Sequence, residues 1–94
     1  MSRELEIKVV VNEPNKLSIR IRGEDHTLLN LLTEELNKLE NVTFAAYRQE
    51  HPLTGEYVLT IVTDGKIEPL DALKEASENL KRLFEGLLKQ VRKG

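Results

Sequence analysis

The chain of 94 residues contains no cysteine, which excludes a disulfide framework and any thiolate that could bind a metal or act as a nucleophile. Its five glycines are scattered singly, so no glycine-rich loop is available to bind a phosphate group. No apolar run approaches the length that crosses a membrane, and the first residues show no targeting pattern. These absences predict a cytoplasmic protein of one domain, residues 1–94, with no membrane partner.

Charge is abundant but balanced, since charged residues make up 32% of the chain and the formal net charge is only −2. Proteins that bind nucleic acid by themselves usually carry a basic excess. Phe44, Tyr47 and Tyr57 fall on neighbouring predicted strands and could stack bases, as in sheet-type RNA-binding domains. The alternative is that Phe44 packs under the helices while the tyrosines line the sheet edge. The charge balance favours this alternative, and no direct contact with nucleic acid is expected.

The titratable residues show no catalytic or ligand-binding arrangement. His26 and His51 are the only histidines, and neither has a partner at the spacing of metal ligands. Glu34 and Glu35 are adjacent carboxylates, but neighbours on a helix point about 100° apart and cannot easily share a substrate. The sequence therefore predicts no catalytic residue, no metal and no cofactor.

Alternation of apolar and polar residues predicts four strands. Residues 4–11 form the first, and the segment around Leu17, Ile19 and Ile21 completes a hairpin with it. Two further strands, residues 42–50 and 57–63, carry apolar residues on both faces, which predicts central positions in the sheet. With one helix after each pair of strands, the order is ββαββα. The predicted fold is α+β, a four-stranded antiparallel sheet with both helices on one face.

The first helix, predicted for residues 27–39, has an unusually wide apolar face. Its six leucines span an arc of about 160°, whereas a surface helix normally shows its core a stripe of about 100°. This width favours two neighbours, the chain's own sheet and another molecule, although an ordinary core helix is the alternative. Leu32 and Leu36 are expected on the chain's own strands, and Leu31 and Glu35 on the flank that meets a partner.

The last helix begins at Pro69 and is predicted to run for about 24 residues, or about 36 Å. A globule of this chain length has a radius of gyration of only about 12 Å. The apolar stripe of this helix is therefore too long for its own sheet, which predicts a partner protein. Leu80 and Leu87 are expected at the centre of the contact. The predicted interface on the two helices consists of Leu28, Leu31, Glu35, Leu73, Ala76, Leu80, Leu83, Leu87 and Val91.

Three stretches together resemble a known family: residues 24–32 (EDHTLLNLL), residues 42–47 with His51-Pro52-Leu53, and residues 69–76. In combination they are similar to the small alpha-like subunit of archaeal DNA-directed RNA polymerase, called subunit L. The eukaryotic relatives of that subunit and the N-terminal dimerisation domain of bacterial alpha are similar more distantly. The likeness extends over essentially the whole chain and departs at Leu29, where eukaryotic relatives often have glycine.

This resemblance implies a non-catalytic assembly subunit of a nucleotidyltransferase complex that carries out transcription. In the family, the subunit pairs through its two helices with the larger alpha-like subunit, called D in archaea. The heterodimer is then a platform on which the two large catalytic subunits assemble. The bacterial counterpart forms a homodimer with the same surface, so self-association stays open. The alternative function is a free-standing α+β domain that binds RNA or senses a ligand.

Overall fold

The computed structural model describes residues 6–23, 26–51 and 55–93, apart from the side chains of His51 and of residues 91–93. Within these residues the strands form one antiparallel sheet, and the two helices contact each other on one of its faces. The predicted α+β class and the order ββαββα are thereby confirmed. The elements are β1 (Glu6–Glu13), β2 (Lys16–Arg22), α1 (His26–Lys38), β3 (Val42–His51), β4 (Glu56–Thr63) and α2 (Pro69–Lys93).

The strands lie in the order β1-β2-β4-β3. Strand β4 is central, as its apolar residues on both faces predicted, but the same prediction is wrong for β3, which forms an edge. Ala45 of β3 packs in the core, whereas Phe44 lies on the opposite face and is half exposed. The expectation that Phe44 packs under the helices is therefore also wrong. The second apolar face of β3 is at least partly exposed at Phe44 and Ala46, because neither of the helices in the described part of the chain covers that side of the sheet.

Both edge strands contain irregularities of register. In β1 the shift falls between Val9 and Val11, so that Val9 pairs with Ile19 and Val11 with Ser18. Val11 therefore lies on the face opposite Val9, which breaks the alternation predicted for residues 4–11. Residues 4 and 5 of that prediction lie outside the described residues. Strand β3 has two such shifts, one near each end. Because bulges hinder an exposed edge from pairing with another strand, a partner is better accommodated on a face of this molecule.

The core lies between the helices and the sheet. Leu29 and Leu36 of α1 are buried, and they belong to the same cluster as Leu59 and Ile61 of β4. Burying a side chain of this size stabilises the fold by about 1.5–3 kcal/mol relative to leaving it exposed. Leu29, where eukaryotic relatives of the resembled family often have glycine, therefore fills the chain's own core.

Two polar side chains position the helices on the sheet. Asn37 Nδ2 donates to the carbonyl of Ala45 at 3.0 Å, and the Ala45 amide donates to Asn37 Oδ1 at 3.2 Å. Because β3 is an edge strand, the side chain of Asn37 takes the place that a neighbouring strand would have. Thr63 Oγ1 donates to the carbonyl of Ile67 at 2.7 Å, while the Thr63 amide donates to the carbonyl of Asn15 at 2.9 Å. These hydrogen bonds determine where α1 lies on β3 and where α2 begins.

Candidate partner interface

The second half of α2 extends beyond the body of the molecule. Residues 81–90 are all exposed, and the 25 residues of α2 span about 37 Å. The described chain measures 45 × 36 × 17 Å, with a radius of gyration of 14.4 Å, above the value expected for a globule of this length. We call residues 81–93 the α2 overhang. The predicted excess of helix over sheet is thus present.

The α2 overhang carries four large apolar side chains that are between 42% and 56% exposed: Leu83, Phe84, Leu87 and Leu88. Their spacing places them on one side of the helix, opposite its charged residues. Complete burial of such a side chain is worth about 1.5–3 kcal/mol, so covering the exposed half gains about 1 kcal/mol for each. A contiguous apolar patch of this kind on a surface is typical of a protein interaction site.

A cleft between α1 and α2 continues this apolar surface. It encloses about 460 Å³ and opens to solvent beside the α2 overhang. Most of its lining is apolar, so the cleft and the overhang form one surface that a partner could cover together. The lining residues are Leu28, Leu32, Ser77, Leu80, Lys81, Phe84, Glu85 and Leu88.

The predicted interface residues of α2 do not all lie on this surface. Leu83 and Leu87 are half exposed on the overhang, and Leu73 is partly buried against the core. Ala76 has no exposed surface and Leu80 is 6% exposed, because the chain's own atoms already cover both. A covered side chain adds no buried area on binding, so the expectation of Leu80 at the centre of the contact is corrected. The exposed surface is centred on residues 83–88 instead.

Val91, the last residue of the predicted interface, lies in α2, and its side chain is not among those that the structure describes. Phe84 and Leu88 are missing from the predicted interface, although their positions in the helical repeat indicated that they belong to the apolar stripe. Their exposure was not visible in the sequence, since it depends on where the body of the molecule ends beneath α2.

On α1, Leu36 is fully buried and Leu32 packs against the core, as predicted. Leu31 and Leu32 are both partly exposed, and Leu28 is 36% exposed. That Leu31 meets a partner stays a prediction. Glu35 accepts a hydrogen bond within its own chain, because Lys38 Nζ donates to Glu35 Oε2 at 2.8 Å.

Lys38 and the carboxylate of Glu35 form an ion pair on the side of α1. The hydrogen bond from Lys38 to Glu35, assisted by the carboxylate charge, raises the pKa of Lys38 above its usual value. The lysine side chain is 70% exposed and that of Glu35 only 17% exposed. Glu35 thus has a basic neighbour within its own chain, and its place at the rim of a partner contact stays a prediction.

A second uncovered apolar region lies where the start of α2 meets β1 and β2. We call it the β1–β2 groove, and its volume is about 590 Å³. Ile7, Val9 and Leu70 are each more than half exposed there. The alternation of apolar residues in β1 correctly predicted that this strand has an apolar face. It did not predict that the two helices leave the face uncovered. The groove is lined by Ile7, Val9, Asn12, Glu13, Pro14, Leu17, Ile19, Glu68, Pro69, Leu70 and Leu73.

The aromatic residues do not form one platform for bases. Tyr47 and Tyr57 contact each other edge-on, with ring centroids 5.9 Å apart, on the face that carries the helices. The Tyr47 hydroxyl also donates to the carbonyl of His26 at 3.2 Å. Phe44, three residues before Tyr47 on the same strand, lies on the opposite face. Stacking of successive bases on all three rings is therefore geometrically impossible.

On the face opposite the helices, one arginine pairs with two glutamates. Arg20 Nε donates to Glu50 Oε2 at 3.1 Å and lies 3.7 Å from Glu56 Oε2. The hydrogen bond to Glu50, followed by the charge of that carboxylate, raises the pKa of Arg20. Within the described residues there is no group of three acidic, histidine or cysteine residues that could hold a metal ion. In the same part of the chain, no helix is long and apolar enough to cross a membrane.

Comparison with known proteins identifies the family. Residues 16–90 match the model of the RNA polymerase Rpb3/Rpb11 dimerisation domain. The DNA-directed RNA polymerase subunit Rpo11 of Saccharolobus shibatae is 42% identical over 88 residues, which cover 94% of this chain and 96% of that protein. Rpo11 of Thermococcus kodakarensis is 47% identical over 78 residues, which cover 81% of this chain and 83% of that protein.

A solved structure has the same fold. The crystal structure of DNA-directed RNA polymerase subunit L from Thermoplasma acidophilum superimposes with a TM-score of 0.85 at 30% sequence identity. The match covers 96% of this chain and 88% of that one. The likeness to the small alpha-like polymerase subunits thus extends from the sequence motifs to the three-dimensional fold. This chain belongs to the RNA polymerase Rpb3/Rpb11 dimerisation-domain family.

Proposed function

We propose that this chain is a non-catalytic assembly subunit, of the subunit L type, in an archaeal DNA-directed RNA polymerase. Acting in the cytoplasm as a single domain, it forms a heterodimer with the larger alpha-like subunit, the one called D in archaea. This heterodimer is the platform on which the two large catalytic subunits assemble. The proposal is supported by the polymerase subunits that the chain resembles, and one feature carries it: an apolar half of α2 that its own sheet leaves uncovered.

The heterodimer contact in this proposal is built on the α2 overhang and the adjoining flank of α1. Burial of the four exposed apolar side chains of the overhang supplies about 4 kcal/mol, at about 1 kcal/mol each. Ala76 and Leu80 support the contact from beneath, because they hold α2 against the body. The proposed contact residues are Leu28, Leu31, Leu73, Leu83, Phe84, Leu87, Leu88 and Val91, with the Glu35–Lys38 pair at the rim.

Co-expression with a tagged larger alpha-like subunit from the same archaeon tests this proposal. Leu87→Glu places a carboxylate inside the apolar contact, where an unpaired charge is costly to bury. Lys89→Gln is the matched control, because it also changes the net charge by −1 but lies about 160° around the helix from Leu87. The unaltered chain and the Lys89→Gln chain should be captured in equal amounts by the tagged subunit, and Leu87→Glu should not.

Because residues 81–90 are exposed, Leu87→Glu removes no contact from the core and should leave the fold of the isolated chain intact. Circular dichroism melting of the variant checks this point. A folded Leu87→Glu chain that still co-purifies in stoichiometric amounts with the larger subunit would refute the proposed contact. Capture of RNA from a low-salt lysate in place of polymerase chains would instead support the alternative of an RNA-binding domain.

A further inference from the structure

Strand β3 contains a segment whose sequence is prone to pair with further strands. Residues 42–47, VTFAAY, include no charge and no proline, and most of them favour extended structure. Segments of this composition add to one another edge to edge when their backbone groups are accessible. Because β3 lies at an edge of the sheet, half of its backbone groups face away from β4. The structure therefore has to protect this edge.

The two edge strands differ in the protection that their own residues supply. Strand β1 has three charged residues among its eight, and charges on an edge strand hinder the addition of another strand. In β3 the irregularities of register fall only near the ends, one before Phe44 and one after Gln49. Residues 44–49 between them form a regular run, and neither a charge nor a bulge protects its first half.

Asn37 of α1 covers the backbone within this first half. Its side chain makes the two hydrogen bonds with Ala45, at 3.0 and 3.2 Å, which use both the carbonyl and the amide of that residue. In an antiparallel ladder every second residue directs both of these groups away from the neighbouring strand. Ala45, which stands opposite Ile61 of β4, is such a residue. The carboxamide presents a donor and an acceptor side by side, and it thus reproduces the pair of bonds that a further strand would make.

The start of α1 is attached to the same strand, because the Tyr47 hydroxyl donates to the carbonyl of His26 at 3.2 Å. The helix is therefore bonded to β3 near both of its ends, which holds Asn37 at the edge. Without this side chain, the edge is suited to a second copy of β3. When two such strands lie antiparallel with Ala45 opposite Ala45, each amide reaches the carbonyl of the other.

We propose that Asn37 protects the edge of the sheet: its side chain occupies the strand-pairing site at Ala45 and prevents β3 of a second copy from adding there. The protected site is the backbone of an edge strand, and the apolar residues of α2 take no part in it. The inference therefore stands independently of the proposed heterodimer.

A comparison of Asn37→Ala with Leu36→Ala separates edge protection from a simple loss of stability. Leu36→Ala removes a fully buried side chain but keeps Asn37 in place, whereas Asn37→Ala opens the edge. Both are incubated at one concentration and at a temperature at which circular dichroism shows each to be folded. Thioflavin T fluorescence and light scattering should rise several-fold faster for Asn37→Ala. Faster aggregation of Leu36→Ala would overturn the inference.

Asn37→Lys supplies the matched comparison at the same position. Lysine has no acceptor and cannot reproduce both bonds of the carboxamide, but its charge at the edge hinders strand addition. Asn37→Lys should therefore remain soluble under conditions in which Asn37→Ala aggregates. Equal aggregation of the two variants would overturn the inference, because the lost hydrogen bonds alone would then explain it.

Hydrogen exchange of the monomer at low concentration tests the bonds themselves. The Ala45 amide should be protected in the unaltered chain and should lose its protection in Asn37→Ala. The amides of Phe44 and Ala46, which face β4, should keep theirs. A protected Ala45 amide in monomeric Asn37→Ala would show that another group covers the edge and would overturn the inference. None of these measurements involves another polymerase subunit, so their outcome is separate from the co-expression test.

Discussion

Truncating Leu36 and Leu31 to alanine distinguishes the two predicted roles of α1, which are packing on the chain's own sheet and contacting a partner subunit. Leu36 is fully buried in the core, where a Leu→Ala change leaves a cavity and costs about 2–5 kcal/mol of folding free energy. For a domain of this size each kcal/mol lowers Tm by roughly 4–8 °C, so Leu36→Ala should melt at least about 8 °C below the unaltered chain. Leu31 is partly exposed at the flank, and its truncation should cost the isolated chain about 1 kcal/mol.

The effect on pairing should run in the opposite order. Leu31→Ala removes apolar area from the proposed contact with the larger subunit, whereas Leu36→Ala leaves the surface of the folded chain unchanged. Urea unfolding of each isolated variant, at a concentration low enough to avoid self-association, gives the free energy of unfolding. Titration calorimetry with the larger subunit, at a temperature where both variants are folded, gives the affinity. If the two variants show the same losses in both measurements, α1 has one neighbour and the division of its apolar face is wrong.

Three further predictions concern single side chains. Asn37→Ala leaves the backbone groups of Ala45 on edge strand β3 without their partner and should lower the free energy of unfolding by about 1–3 kcal/mol, measured by urea denaturation. Asn30→Ala, at an exposed position on the same helix, is its control. The raised pKa of Lys38 means that its pair with Glu35 favours the folded state up to the usual lysine pKa and that this contribution is lost as the pH rises through the raised value. In an NMR titration, Glu35→Gln should return the pKa of Lys38 towards its usual value, and an unchanged pKa would refute the assigned cause. His26→Ala, at an exposed helix start, should leave nucleotide incorporation by an already assembled polymerase unchanged, and a slower rate with assembly intact would contradict a non-catalytic role.

The sequence by itself determined the elements of this protein, because the period of the apolar residues is a local property of the chain. Alternation placed β2 and β4, and the helical repeat placed α1 and α2, with ends within a few residues of those observed. The same repeat showed that α2 has more apolar surface than a small sheet can cover. The motifs around His26 and His51 indicated the family, although residues 24–25 and 52–54 of those motifs lie outside the described residues.

The tertiary structure alone decided which apolar residues are covered. Leu80 and Leu87 occupy equivalent heptad positions, yet Leu80 is buried and Leu87 is half exposed, because the body of the molecule ends between them. Likewise, apolar residues on both sides of a strand cannot distinguish a central strand from an edge strand with an exposed face. That distinction depends on strand order, which left β3 at the edge and the groove beside β1 open. Periodicity is set by neighbours along the chain, whereas exposure is set by segments distant in sequence, and for that reason only the folded structure located the surfaces that a partner can reach.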